Sequence, residues 1–106
     1  DFVATVEQIL APHYQWVSST SLWSIRLLLF QAGGKSARIT KVKKLTEGTG
    51  IGNIMGNKGA AAMVVRYLDT ELCFIVSHLA AHQTNLVERR KDYRDIVRGL
   101  GSLAHR

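Results

Sequence analysis

Only one cysteine, Cys73, occurs in the chain, so no internal disulfide can form and the fold must be held by packing. Its place between Leu72 and Phe74 in an apolar run reads as a small buried hydrophobe in a reducing compartment. Acidic residues are also scarce. Eight Asp and Glu stand against 14 Lys and Arg, a formal charge of +6, which favours an anionic partner: nucleic acid, acidic lipid headgroups or a polyphosphorylated small molecule. No apolar run can span a bilayer, because the longest, Ile25 to Phe30, is short and broken by Arg26. No charged start leads into an apolar signal core. Internal repeats and low-complexity segments are absent.

What is present is the makings of one core. With 106 residues and 46% hydrophobic content the chain is one domain at most, of globular composition. Asp1-Phe2 reads as opening inside a helix and Ala104-His105-Arg106 has no cap, so residues 1–106 are read as an internal fragment of a larger domain. Phe2, Val3, Val6, Ile9 and Leu10 recur at helical spacing, and Pro12 closes that helix. Tyr14 to Ser18 and Leu22 to Gln31 read as strands, with Trp16 and Trp23 as core or near-core aromatics. Gly33-Gly34 signals a turn, and Lys35 to Leu45 reads as a basic, half-exposed strand.

Five of the nine glycines fall between Gly48 and Gly59, which marks a loop. Ala60 to Leu68 is almost wholly apolar, Asp69-Thr70 turns the chain, and Glu71 to Ser77 returns. Such continuous apolar runs suit strands covered on both faces. A helix follows from Asn85 to Leu103, with Leu86, Tyr93, Ile96, Val97, Leu100 and Leu103 as one stripe. Consecutive strands joined by tight turns and flanked by helices argue an α/β sandwich with mainly antiparallel pairing, not the regular alternation of a doubly wound parallel sheet.

The candidate chemistry lies where the last strand leaves the sheet. His78 follows Phe74-Ile75-Val76-Ser77, and a neutral imidazole both donates and accepts hydrogen bonds and exchanges protons near neutral pH. The plainer reading is a strand-end His satisfied by backbone. His82 stands four residues on, but a His-Glu-x-x-His zinc site needs Glu where Leu79 stands, and no third ligand is near. Contact with an anion and simple loop packing are equally open to His82. The glycine-rich loop fails the Gly-x-x-x-x-Gly-Lys-Ser/Thr pattern, since Asn57 separates Gly56 from Lys58. It fails Gly-x-Gly-x-x-Gly too, since Met55 occupies the last glycine's place. Its glycines and Lys58 still suit an anion. Arg38, Lys41, Lys43 and Lys44 read first as a solvated strand face. Arg89, Arg90 and Lys91, interleaved with Glu88, Asp92 and Asp95, read as mainly structural pairs along the helix.

Gly56-Asn57-Lys58-Gly59, a strand, a short hairpin and Ser77-His78-Leu79-Ala80-Ala81-His82 together resemble the inositol polyphosphate 5-phosphatases, of the endonuclease/exonuclease/phosphatase superfamily. The resemblance runs on through Glu88-Arg89-Arg90 and Asp92-Tyr93-Arg94-Asp95-Ile96, and more loosely back to Leu22-Trp23. It implies part of a four-layered α/β/β/α sandwich and hydrolysis of the 5-phosphate of phosphoinositides or soluble inositol polyphosphates. By the same resemblance His78 is catalytic, donating to the phosphoryl group or the departing inositol oxygen, while Asn57, Lys58 and His82 contact substrate. Ile51, Ile54 and Met55 would touch acyl chains, with a loop folded back on the core as the equal alternative.

The resemblance further implies Mg²⁺, a cytoplasmic enzyme peripheral to membranes, and no nucleic-acid partner. The family's metal machinery, an upstream carboxylate, a downstream Gly-Asp-x-Asn and a late Asp-His pair, has no match here, so its ligands are expected outside this chain and the piece alone should be inactive. Ala60-Ala61-Ala62 departs from the glycine that commonly follows the Lys-Gly turn, a change in packing more than in chemistry. Two other readings stay open on the residues alone: a nuclease-like phosphodiesterase of the same superfold, and a non-catalytic module for anionic lipid or nucleic acid.

Overall fold

The computed structural model describes residues 1–33, 38–49, 58–81 and 83–104, the last two without their side chains. Asp1 caps helix α1 (Phe2–Leu10), its carboxylate accepting from the Val3 N–H at 3.2 Å. Strands β1 (Tyr14–Leu22) and β2 (Ile25–Ala32) form one antiparallel hairpin. Strands β3 (Ile39–Gly48), β4 (Gly59–Tyr67) and β5 (Thr70–His78) form a second antiparallel sheet in that order, and α2 (Leu86–Ala104) follows.

The two sheets pack face to face, with α2 on the other side of β3 and β4. Side chains alternate along a strand, and β4 uses both faces. Ala60 and Ala62 meet Leu45, Ile96 and Leu100 under the helix, with Val64 and Leu79 packed alongside. By that alternation Ala61, Met63 and Val65 point to the hairpin, and Met63 and Val65 are the largest fully buried side chains. The expectation of a strand covered on both faces holds for β4. It does not hold for β5, an edge strand of this sheet, where Leu72, Phe74 and Ile75 are exposed. Cys73 is likewise exposed, not buried as its apolar neighbours suggested.

Both hairpins close through two residues, Trp23-Ser24 and Leu68-Asp69, with Trp23 (φ 53°) and Leu68 (φ 56°) in the left-handed region. Trp23 thus sits at a hairpin tip. It and Trp16 are each 45% exposed, which corrects their assignment to the core. Ser19, Thr20 and Ser21 extend β1 beyond Ser18 by pairing with Leu28, Leu27 and Arg26. Of the expected stripe on α2, Ile96 and Leu100 are buried while Leu86, Tyr93 and Val97 face solvent, and the Leu103 side chain lies outside the description. The basic strand begins at Ile39 among the described residues, and Arg38, Lys41 and Lys44 are solvated as expected, with Lys43 half-buried.

Candidate active site at the open end of the three-stranded sheet

Gly48, Gly59 and His78 lie side by side across β3, β4 and β5. Both terminal glycines of the glycine-rich segment therefore belong to strands, which corrects the reading of residues 48–59 as all loop. Just beyond them the Thr49 N–H donates to the Lys58 carbonyl at 3.1 Å, and Thr49 is buried. Those bonds fix the neck from which residues 50–57 depart.

Gly59 is required at that neck. Its φ is +155°, and a Cβ there would collide with the Glu47 carbonyl oxygen and stand 2.8 Å from Leu22 Cδ2. The β3 backbone and the hairpin both press against it, so only glycine lets β4 start here. The lysine before it is thereby held at the sheet end that carries His78.

Lys58 Nζ lies 3.0 Å from His78 Nε2. An ammonium can only donate, so Nε2 is the acceptor when Lys58 is charged. Lys58 is half-buried and His78 exposed, so the pair meets solvent. An arriving anion can accept hydrogen bonds from the ammonium and from whichever ring nitrogen of His78 carries a proton. The sequence-predicted partners Asn57 and His82, and the apolar trio Ile51, Ile54 and Met55, lie outside the described residues.

Beyond His78 the backbone is held by α2. The Ala80 N–H donates to Asp92 Oδ2 at 3.0 Å and its carbonyl accepts from Arg89 Nη1 at 3.4 Å. Asn85 Nδ2 donates to the Ala81 carbonyl at 2.9 Å. Sequence reasoning had set Arg89 and Asp92 aside as structural charges of the helix. One pair behaves that way, Lys91 with Asp95 at 3.5 Å. The overlooked signal was spacing: Asp92 stands four and eight residues before Ile96 and Leu100, on the buried stripe, where a carboxylate needs a partner.

A hollow of about 450 Å³ lies elsewhere, lined by Lys41, Lys43, Arg66 and Glu71 toward the opposite end of β3 and β4. Among the described residues no group of three or more His, Cys, Asp or Glu converges as metal ligands would.

A Lys-His pair thus stands at this sheet end, and comparison with known proteins shows the family. The model of endonuclease/exonuclease/phosphatase family 2 matches residues 1–105. The chain belongs to that family. It is 44% identical over 89 residues to inositol-1,4,5-trisphosphate 5-phosphatase 1 of Schizosaccharomyces pombe, which covers 84% of this chain and 8% of the relative. Human synaptojanin-1 is 37% identical over 87 residues, 82% of this chain and 6% of that protein. The solved inositol polyphosphate 5-phosphatase domain of SPsynaptojanin, in complex with inositol (1,4)-bisphosphate and calcium ion, superposes with a TM-score of 0.81. It is 38% identical and covers 92% of this chain and 30% of its own. The chain thus spans under a tenth of the length of the curated relatives, at 8% and 6% here. The Schizosaccharomyces pombe relative and the solved domain are 5-phosphatases by name, in keeping with the motif resemblance, and the α/β fold with antiparallel sheets matches the solved domain.

Proposed function

We propose that the protein carrying this chain hydrolyses the 5-phosphate of phosphoinositides or soluble inositol polyphosphates, and that this chain supplies one wall of its site. The observation that carries the reading is the 3.0 Å approach of Lys58 Nζ to His78 Nε2 at the neck of the glycine-rich segment. A positive charge next to an imidazole, which donates once it has taken up a proton from solvent, suits a phosphate monoester, whose charge grows on the departing oxygen as the bond breaks. His78 is the donor to the phosphoryl group or the departing inositol oxygen, Lys58 the point charge on a substrate phosphate. Asn57 and His82 contact the same substrate, and Ile51, Ile54 and Met55 meet acyl chains of a lipid substrate.

A divalent ion, Mg²⁺, belongs to this reading and is held by residues beyond this chain, where it supplies Lewis-acid stabilisation of phosphoryl charge. So do the four-layered sandwich, completed by further polypeptide, and a cytoplasmic enzyme that visits membranes peripherally. Among the described residues no helix is long and apolar enough to cross a membrane.

The test is phosphate release by the intact protein from a soluble inositol trisphosphate and from phosphoinositide vesicles, with duplex DNA alongside. Inositol phosphates should turn over and DNA should not. His78→Ala should lower kcat by about 10²–10³, the scale of losing one charge-stabilising donor, with KM nearly unchanged. DNA cleavage in place of phosphate release, or an unchanged kcat in the variant, would contradict the assignment.

A further inference from the structure

The ladder of β5 ends at His78, opposite Gly59, and the segment after it has no strand partner among the described residues. A backbone leaving a sheet must find hydrogen bonds or wander. Here one face of α2 provides them. Asn85, Arg89 and Asp92 are spaced by four and three residues, so they line one side of the first turns of the helix. Asn85 begins that helix, its carbonyl accepting from the Arg89 N–H at 3.0 Å. Ala80 is gripped on both sides of its Cα, its N–H in the peptide from Leu79 by Asp92 and its carbonyl in the peptide to Ala81 by Arg89, while Asn85 holds the next carbonyl. Leu79, between His78 and the gripped peptide, packs on the core under α2.

Asp92 is only 6% exposed. A carboxylate placed between helix and sheet gives up hydration that an apolar side chain of similar size would not. Packing therefore does not call for it. What it does supply is a charge-assisted acceptor aimed at one amide.

We propose that Asp92 and Arg89 are positioning residues: they fix the Ala80 peptide, and through it the angle at which His78 leaves β5 toward Lys58. The proposal rests on the 5-phosphatase reading for its kinetic consequence, but its structural half stands apart from that reading. A loosened Ala80 peptide lets the imidazole drift from the ammonium, and displacement on the order of 1 Å at a reacting centre costs about 10²-fold in rate.

The test compares Asp92→Leu, Asp92→Asn and Arg89→Met in the intact protein. It uses kinetics on a soluble inositol trisphosphate, thermal unfolding, and hydrogen exchange at the Ala80 amide. Asp92→Leu strips the Ala80 N–H of its acceptor and should lower the melting temperature modestly, lower kcat per folded molecule by about 10–100-fold with KM changed less than about threefold, and speed exchange at Ala80. Asp92→Asn keeps an acceptor oxygen and should recover most of kcat. Arg89→Met should show a smaller loss in the same direction. A lowered melting temperature with kcat per folded molecule unchanged would make Asp92 merely structural and overturn the proposal, as would unaltered exchange at Ala80. If the unmodified protein releases no phosphate from any inositol phosphate, the functional reading fails by itself, and the exchange measurement still decides whether the strap exists.

Discussion

Lys58 and His78 are twenty residues apart in sequence, yet Nζ and Nε2 meet at 3.0 Å. The meeting is a product of register: Gly59 pairs with His78, so the residue before Gly59 stands beside the end of β5. Any change that shifts the β4 to β5 register by one residue would separate the pair and turn every side chain of the edge strand to the other face.

The start of β4 is the first place to test that register. Gly59→Ala must move both the Glu47 carbonyl and Leu22 and must also hold an alanine at φ +155°. Thermal or denaturant unfolding should show a loss of at least about 2 kcal/mol, together with weakened Lys58 to His78 contact. A variant as stable as the parent would mean that the close approach at the neck is not a constraint.

Met63 is the second test, because it fills the space between the sheets with no exposure at all. Met63→Ala should cost about 2–5 kcal/mol from lost burial and the cavity left behind. A cost under about 1 kcal/mol in denaturant titration would place the hairpin farther from β4 than described.

Two glycines in α2 should respond in opposite ways. A Cβ at Gly101 meets nothing within 4 Å, whereas one at Gly99 collides with the Glu47 side chain. Gly101→Ala should therefore raise stability by about 0.5–1 kcal/mol through helix propensity. Gly99→Ala should gain less or lose, since Glu47 must swing away. Equal gains at both positions, read as melting temperatures, would show that α2 does not press on β3 at Gly99.

Much of this architecture was legible in the sequence. The spacing of Phe2, Val6, Ile9 and Leu10 marked α1, the turn near Asp69 separated two apolar strands, and the helix after Asn85 was placed within a residue of its observed start. What failed did so for identifiable reasons. The β1 to β2 hairpin turns at Trp23, where no glycine announces it, so an aromatic at a tip was read as core. β3 runs on to Gly48 because its pairing with β4 outweighs the poor strand propensity of its last residues. Apolar content cannot say whether a strand's cover lies within a chain, and so Cys73, Phe74 and Ile75 on β5 were read as buried. The approach of Lys58 to His78 was legible because the two stand at matching ends of consecutive strands, while their roles rest on the family resemblance. Asp92 was missed because a hydropathy pattern treats charge as solvent-facing, and only its period with Ile96 and Leu100 points inward.

The most direct measurement is a double-mutant cycle on Lys58 and His78 in the intact protein, with kcat/KM for phosphate release from a soluble inositol trisphosphate as the readout. If the two groups act as one unit on the same phosphate, Lys58→Met and His78→Ala should each lower it by about 10²-fold or more. The double variant should then be little worse than the more damaged single variant. Losses that add to within about 0.5 kcal/mol, the behaviour of independent sites, would contradict a shared role for the pair.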